Sequence, residues 1–323
     1  MIELKHLRLL RAAAAHGTIS GAARELGYSQ PALTQQIQGL ERYLGTPVLL
    51  RGRRGIVLTD AGRVLLRHAE IMLQSVALAE AEIEAVAGLR AGRIRIACFP
   101  SAAGALLPQM FARMKAEHPG LHFEMVEADS ARALELLRRG ECDLAIVYWH
   151  LTEGQVVDAV DLRDEEELTP LFDERVDVVL PSSHPLVSKR WVDIRDLRDD
   201  LWIAGCPRCR GNLEHLCRVA GFQPRIGFET DDYLALHRLA ALGLGVALAP
   251  ELMHTAYPHD ERLALRPLQP LSVRQVGAVS TGPLMQLPAV QRALCILLEQ
   301  TQDAGLRVGA TTPAAETAPS NET

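Results

Sequence analysis

Two cysteines separated by two residues, Cys206 and Cys209, could belong to a metal site or form a redox pair. Zinc would need two further ligands, which His215 and Cys217 could supply, but these four residues are closer together than the ligands of typical zinc fingers. A redox switch is the second alternative, because neighbouring arginines and a helix start lower the pKa of a thiol. The third is a loop whose thiols act as small apolar side chains. We predict no metal site and leave the redox switch open.

A second group of side chains with binding chemistry lies near the N-terminus. It comprises Ser29, Gln30, Pro31, Thr34, Gln35 and Gln38. A glutamine amide can hydrogen-bond the edge of a base pair, and a threonine methyl can contact thymine. Three arginines follow, Arg51, Arg53 and Arg54, and these could contact phosphates or a narrow minor groove. Together these residue types predict an interface with double-stranded DNA.

The elements that would position this polar group are three helices and a hairpin. Leucines at spacings of three and four predict a first helix over residues 3–15. We expect Ser20 to cap a second helix and Ser29 to cap a third, which has Pro31 in its first turn and ends at Gly45. Two short apolar segments flank the arginines and predict a hairpin. This order predicts a winged helix-turn-helix over residues 1–59, whose third helix enters the major groove.

Charge is distributed unevenly along the chain. Residues 1–62 carry eight Lys/Arg and four Asp/Glu, whereas the remaining residues carry 26 and 36, although the whole chain has a net charge of −6. Such asymmetry indicates a basic module that binds an anionic partner, joined to an acidic body with another task.

The N-terminal residues resemble the signature of LysR-type transcriptional regulators. The resemblance rests on Ala22, Ala23, Leu26, Gln30, Pro31, Ala32, Ile37, Leu40, Glu41, Leu44, Gly45, Arg51 and Leu58–Gly62. Two positions depart from the pattern: Leu49 stands where the family usually has Phe, and Gln35 stands where many members have Arg. The resemblance implies a cytoplasmic regulator that binds promoter operator DNA as a homodimer or homotetramer and works with RNA polymerase.

Residues 60–91 predict one long helix that links the two halves. A heptad-like series of apolar residues runs along it, and we assign dimerisation to Leu65, Met72, Val76 and Ile83. The alternative is that this stripe packs against the chain's own body. The resemblance favours a dimer, and two helix-turn-helix units can span two half-sites.

Strands and helices alternate in the remaining chain, which predicts a mainly parallel sheet covered by helices. This α/β body resembles the LysR effector-binding domain, a two-lobed fold of the type 2 periplasmic-binding-protein-like class. The resemblance implies an effector domain over 92–302, with lobe I at about 92–166 and 271–302 and lobe II at about 167–270. We expect the tail, 303–323, to be disordered because of its composition.

Ligands of such folds lie between the lobes, at strand ends and helix starts. On that basis the candidate effector-binding residues are Ser101, Ala102, Tyr148, Cys206 and Thr230. We expect Ser101 to cap a helix and, with the amides at 102–104, to receive a small organic acid. The alternative regulator senses oxidation through the loop that carries Cys206 and Cys209.

Other classes of protein are not indicated. The common motifs of hydrolases, zinc proteases and nucleotide-binding enzymes are missing from the sequence, so we expect neither catalysis nor a cofactor. The longest charge-free apolar segment, Leu239–Pro250, has 12 residues, whereas a membrane helix needs about 20, so no membrane partner is expected. A transport-type binding protein would leave residues 1–60 unexplained.

Overall fold

The computed structural model describes residues 1–52, 55–86, 92–256 and 260–303. These residues form two compact units, which are described separately: the first contains the elements up to α4, and the second begins at β3. Within the described ranges, no helix is long and apolar enough to cross a membrane. The tail expected to be disordered lies, except for Asp303, outside the described residues.

The first unit contains the predicted helices and hairpin. Its elements are α1 (Leu4–His16), α2 (Ile19–Glu25), α3 (Gln30–Leu44), β1 (Leu49–Gly52), β2 (Gly55–Leu58) and α4 (Asp60–Val86). Ser29 caps α3 by accepting a hydrogen bond from the Ala32 amide, and Gly45 ends the helix in the left-handed conformation, as predicted. The prediction for α2 was wrong by two residues: Thr18 is the N-cap, because its hydroxyl accepts from the Gly21 amide.

Two apolar clusters hold this unit together. One packs α1 and α3 against α2, and the other packs α1, α3 and the hairpin against the start of α4. Gly62 lies in the first turn of α4, where an added Cβ would stand 2.1 Å from the Val48 carbonyl oxygen. The first turn of α4 therefore approaches the hairpin backbone as closely as only glycine permits.

The second unit is a two-lobed α/β body. Its first stretch comprises β3 (Gly92–Cys98), α5 (Pro100–Ala105), α6 (Leu107–Glu117), β4 (Leu121–Glu127), α7 (Ser130–Arg138), β5 (Leu144–Thr152), β6 (Gln155–Val156) and β7 (Glu166–Pro181). The chain continues through β8 (Val192–Asp193), β9 (Leu201–Ala204), α8 (Pro207–Val219), β10 (Arg225–Glu229), α9 (Tyr233–Ala241), β11 (Val246–Pro250), α10 (Glu251–Ala256), β12 (Leu263–Gln269), β13 (Ser272–Thr281), α11 (Gly282–Met285) and α12 (Pro288–Asp303). Short 3-10 turns lie on either side of β8.

The strands pair in the order β10-β9-β11-β7-β13-β5-β3-β4. The strands that alternate with helices are parallel, namely β4, β3 and β5 in one lobe and β10, β9 and β11 in the other. The two long strands β7 and β13 are antiparallel to each other and to their outer neighbours. The sheet is therefore mixed, whereas the sequence predicted a mainly parallel one.

Strand β7 belongs to both lobes. Its residues up to Arg175 pair with β13, and its residues from Val176 onward pair with β11 and β12. The boundary between the lobes thus lies inside β7, later than the position 167 that we expected. The sequence pattern predicts strands over residues 143–147, 175–180 and 274–279, and the observed β5, β7 and β13 overlap these segments and extend beyond them.

Candidate functional site

The site is a cavity of about 280 Å³ between the two lobes of the second unit. Tyr148 of β5 and Phe99, just after β3, come from one lobe, whereas Cys206, Cys209 and Thr230 come from the other. Phe99, Cys206 and Thr230 follow the carboxyl ends of the parallel strands β3, β9 and β10, where α/β folds place ligands. The structure therefore brings three predicted residues, Tyr148, Cys206 and Thr230, into one lining.

The two thiols and the Tyr148 hydroxyl form a compact cluster. The Sγ atoms of Cys206 and Cys209 are 2.8 Å apart, and the Tyr148 Oη lies 2.9 Å from the first and 3.4 Å from the second. The Cys209 amide also donates to the Cys206 Sγ over 3.3 Å, because Cys206 is the N-cap of α8. No disulfide joins the two cysteines, and each residue keeps only part of its surface exposed. Three groups that can donate a hydrogen bond therefore lie around the Cys206 sulfur.

These contacts shift the pKa values of the two thiols in opposite directions. Hydrogen bonds from Cys209, and further ones from Tyr148 and the Cys209 amide, lower the pKa of Cys206 to about 6 against the opposing effect of burial. The pKa of Cys209 is raised, because it shares its proton with Cys206 and is buried. Burial also raises the pKa of Tyr148, which remains a donor. The lowered pKa of Cys206 and the raised pKa of Cys209 favour a Cys206 thiolate beside a Cys209 thiol, which is the arrangement of a reactive dithiol.

Arg274 of β13 lies beneath this cluster and was missed by the sequence analysis. Its guanidinium is 1% exposed and is paired with Glu174 of β7, with 2.5 Å between Nη2 and Oε1. It also lies 4.7 Å and 4.8 Å from the ring centroids of Phe99 and Tyr148. The available signal was a charged residue inside a segment that the sequence predicts to be a strand.

The expectation that Ser101 caps a helix is wrong. Helix α5 begins at Pro100, with Phe99 as its N-cap, and the amides of Ala102 and Ala103 already donate to the Phe99 carbonyl. The Ser101 hydroxyl is buried and accepts a hydrogen bond from Arg274 over 2.9 Å. Neither Ser101 nor Ala102 contributes to the lining of the cavity.

The charges around the cavity are mainly negative. Glu127, Asp129 and Asp231 contribute to its lining, and all three are exposed. Among the described lining residues, Arg274 is the one cation, and Glu174 already neutralises it. A small organic acid would therefore meet carboxylates without an unpaired cation from this lining.

A second contact joins the lobes beside the thiols. Arg208, which lies between the two cysteines in sequence, donates to the Asp158 carboxylate over 3.0 Å and to the Asp158 carbonyl over 2.7 Å. Asp158 also accepts from the His150 amide and approaches the His150 Nδ1 at 3.1 Å. Burial lowers the pKa of His150, so its ring is neutral at pH 7. The turn that carries the thiols thus contacts the opposite lobe through both Tyr148 and Arg208.

The structure does not bring the four zinc candidates together. Cys217 lies in the apolar core of its lobe, where burial raises its pKa to about 12, and the His215 Nδ1 accepts from Arg218. No group of three or more possible metal ligands occurs among the residues that the structure describes.

In the first unit, the predicted DNA-contacting residues lie along α3. Gln30, Gln35 and Gln38 are exposed, and Thr34 is partly exposed. Ser29 caps the helix and Pro31 occupies its first turn. Arg51 lies in β1, whereas Arg53 and Arg54 lie outside the described residues.

The proposed dimer seam on α4 divides into two parts. Leu65 is buried against its own chain, in the cluster that contains Leu7 and Val48, so it is not available to a partner. Met72 and Ile83 are 40% and 68% exposed, and Val76 is partly exposed. The alternative of packing within the chain is thus correct for Leu65, and the exposed part of the stripe begins at Met72.

Comparison with known proteins gives two family matches. Residues 4–63 match the bacterial regulatory helix-turn-helix protein of the lysR family, and residues 87–302 match the LysR substrate binding domain. The chain is 34% identical over 283 residues to the small neutral protease regulatory protein of Streptomyces coelicolor, covering 84% of each chain. It is 32% identical over 281 residues to a probable hydrogen peroxide-inducible genes activator of Mycobacterium avium, covering 84% of this chain and 86% of the relative.

Solved structures share the fold. A full-length OxyR variant from Pseudomonas aeruginosa matches with a TM-score of 0.65 at 21% identity, covering 93% of this chain and 97% of that one. Full-length BenM matches with a TM-score of 0.57 at 23% identity, covering 96% and 100%. With both family models matched in order along the sequence, the chain belongs to the LysR family of transcriptional regulators.

Proposed function

We propose that this LysR-family regulator changes its DNA binding when a hydroperoxide oxidises Cys206 and Cys209 in the interlobe cavity. The observation that carries the proposal is the cluster of two thiols and one tyrosine hydroxyl, in which the Cys206 Sγ lies 2.8 Å from Cys209 and 2.9 Å from Tyr148. The Mycobacterium avium relative, a probable hydrogen peroxide-inducible genes activator, supports a peroxide as the class of signal.

The chemistry follows from the unequal acidities of the two thiols. The Cys206 thiolate attacks the terminal oxygen of a hydroperoxide, R–O–O–H, so that the O–O bond breaks and R–O⁻ leaves and takes a proton. The Cys206 sulfenic acid is then attacked by the Cys209 sulfur. The S–S bond forms as the S–O bond breaks, and the hydroxide that leaves takes the Cys209 proton as water. Two thiol sulfurs are oxidised, and the peroxide is reduced to R–OH and water.

The contacts between the lobes provide a route from the thiols to the rest of the body. A disulfide draws Cys206 and Cys209 together in the turn that also carries Arg208. The Tyr148 hydroxyl would lose a thiolate acceptor, and the geometry of the Arg208 pair with Asp158 would change. Oxidation would thereby alter both polar contacts that this turn makes with the opposite lobe.

The DNA-binding half of the proposal concerns the first unit. We propose that Gln30, Thr34, Gln35 and Gln38, oriented by Ser29 and Pro31, contact base edges of a promoter operator, and that Arg51, Arg53 and Arg54 contact its backbone. We propose that Met72, Val76 and Ile83 pair α4 with a second copy of the chain, in a homodimer or homotetramer. RNA polymerase is the proposed partner of the DNA-bound form.

A binding experiment with matched variants tests the proposal. The full chain is titrated on an operator selected from random DNA, before and after treatment with a hydroperoxide. We expect the dissociation constant to change by about five- to 150-fold, the usual range for coupling between two sites. Cys206→Ser and Cys209→Ser should abolish the response. Cys295→Ser should retain it, because Cys295 lies on α12 away from the cavity lining.

Two results would overturn the proposal. One is an unchanged dissociation constant for the wild type under conditions in which mass spectrometry shows the Cys206–Cys209 disulfide. The other is a shift caused by a small organic acid that Cys206→Ser retains in full. The second result would establish the organic-acid regulator instead.

A further inference from the structure

Resting on the proposed function, we infer that the oxidant this cavity selects is an uncharged organic hydroperoxide rather than hydrogen peroxide. The inference concerns the chemical class of R in R–O–O–H, and it derives from the size, the walls and the charge of the space in front of the Cys206 sulfur.

The size of the cavity exceeds what hydrogen peroxide requires. Its volume is about 280 Å³, whereas a molecule of water occupies about 30 Å³ in the liquid. Cavities that hold small organic ligands begin at about 300 Å³. The space beside the thiols therefore matches a compact organic molecule.

Both lobes contribute apolar side chains to the lining of the cavity. Phe99 and Pro100 line the cavity from one lobe, and Leu236 and Leu248 line it from the other. Each methylene that an oxidant buries against such side chains strengthens its binding by about fourfold. Hydrogen peroxide has no carbon and gains nothing from these walls.

The charge of the lining excludes anionic oxidants. Glu127, Asp129 and Asp231 contribute carboxylates, and the charge of Arg274 is already neutralised by Glu174. A carboxylate on the oxidant would be repelled before it reached the sulfur. The favoured R group is therefore both apolar and uncharged.

The reaction balances with such an oxidant. The Cys206 thiolate attacks the terminal oxygen, the O–O bond breaks, and the organic fragment leaves as its alcohol after taking a proton. Attack by the Cys209 sulfur then forms the disulfide and releases water. The apolar walls contact R in the peroxide and in the departing alcohol.

Rates measured on the full chain test this inference. Hydrogen peroxide, tert-butyl hydroperoxide, cumene hydroperoxide and its 4-carboxy derivative are compared by the rate at which the Cys206–Cys209 disulfide peptide appears. Each rate is divided by that of free cysteine, which removes the intrinsic reactivity of the oxidant. We expect this ratio to be at least about tenfold higher for cumene hydroperoxide than for hydrogen peroxide.

The charged oxidant tests the effect of the carboxylates in the lining. The ratio should be lower for the 4-carboxy derivative than for cumene hydroperoxide. In a double variant with Asp129→Asn and Asp231→Asn, the ratios for these two oxidants should be closer to each other.

Two tryptophan variants test whether the preference for cumene hydroperoxide arises in the cavity. Leu248→Trp fills the cavity and should lower the ratio for cumene hydroperoxide relative to hydrogen peroxide. Leu242→Trp is the control, because Leu242 is 68% exposed and outside the lining, and it should leave both ratios unchanged. If Leu248→Trp fails to fold, the comparison of the hydroperoxides on the wild-type chain still tests the inference, because it needs no variant.

The outcomes separate the two proposals. If hydrogen peroxide forms the disulfide with a ratio equal to or above that of cumene hydroperoxide, the inference fails while the thiol sensor stands. If no hydroperoxide forms the disulfide, the proposed function itself fails.

Discussion

The proposed sensing chemistry depends on one sulfur atom, the Cys206 Sγ. The Cys206 Sγ lies within hydrogen-bonding distance of the Cys209 Sγ and the Tyr148 Oη and accepts a hydrogen bond from the Cys209 amide, and these contacts lower its pKa to about 6 from an ordinary value of 9. The rate of alkylation by iodoacetamide should therefore rise through a midpoint near pH 6. Cys209→Ala removes the largest contribution and should move the midpoint upward, toward 9. Mass spectrometry can follow each cysteine, with buried Cys217 as an unreactive internal reference. A wild-type midpoint near 9 would show that the cluster does not stabilise a thiolate.

The ion pair between Glu174 and Arg274 supports the floor of the cavity. Both side chains are almost fully buried, so removal of one charge leaves the other unpaired. Glu174→Gln should lower the free energy of unfolding by about 3–5 kcal/mol, measured by urea denaturation. Glu174→Gln combined with Arg274→Met should recover part of that loss, because no unpaired charge remains. A single variant as stable as the wild type would show that the pair carries little of the local stability.

Some residues of the site could be predicted from the sequence alone, and others could not. Cys206, Tyr148 and Thr230 were found because each follows a segment that the sequence predicts to be a strand, and α/β folds place ligands there; β5 in fact continues past Tyr148. Ser101 also comes shortly after a strand, but the helix begins one residue earlier, at Pro100. Its hydroxyl accepts a hydrogen bond from Arg274, so the prediction failed there. Arg274 lies inside β13, in register with Glu174 of β7. Its role therefore depends on how these two strands pair, which a local sequence pattern does not predict.

At the scale of elements, α3 carries the prediction for DNA recognition. Gln30→Ala or Thr34→Ala should weaken binding to the selected operator by about 1–3 kcal/mol and affect random DNA much less. The reason is that amide and methyl contacts with base edges depend on sequence, whereas phosphate contacts do not. Dissociation constants on both DNAs, each measured over a range of salt concentrations, provide the check. Equal losses on the two DNAs would place these side chains on the phosphates.

Helix α4 carries the prediction for assembly. Met72→Asp with Val76→Asp should dissociate the proposed dimer, because each change places a carboxylate against its copy across the seam. Light scattering gives the mass. Ala77→Asp, on the same helix but outside the seam, is the control and should remain dimeric. A Met72/Val76 double variant with the mass of a dimer would mean that the exposed stripe is not the interface.

Short sequence patterns predicted most helices and strands, whereas pairing between distant strands determined where the strands end. Ser29, Pro31 and Gly45 marked α3 correctly, because capping depends on a few neighbouring residues. Strands β5, β7 and β13 are longer than their apolar segments, because pairing with neighbouring strands extends them through polar residues: Gln275 of β13 pairs with both β5 and β7, and Glu174 of β7 pairs with β13. The cap of α2 was misplaced because Thr18 and Ser20 are both capable residues.

At the scale of the whole chain, the order of the modules could be predicted and the division of the body could not. The charge contrast and the family signature indicated a basic N-terminal module and an acidic effector body, and both family matches agree. The lobe boundary was misplaced because β7 runs without a break from one lobe into the other. The cavity depends on that crossing, since β7 and β13 carry Glu174 and Arg274 between the lobes.

We propose that the oxidation state of two thiols in the body controls the occupancy of DNA. A footprint of the full chain on its selected operator tests this, taken in one sample before cumene hydroperoxide, after it, and again after dithiothreitol. We expect the protected region or its occupancy to change on oxidation and to return on reduction. Cys295→Ser should show the same cycle, and Cys206→Ser should show no change. A footprint that stays constant while the Cys206–Cys209 disulfide forms and is reduced would show that these thiols do not control DNA binding.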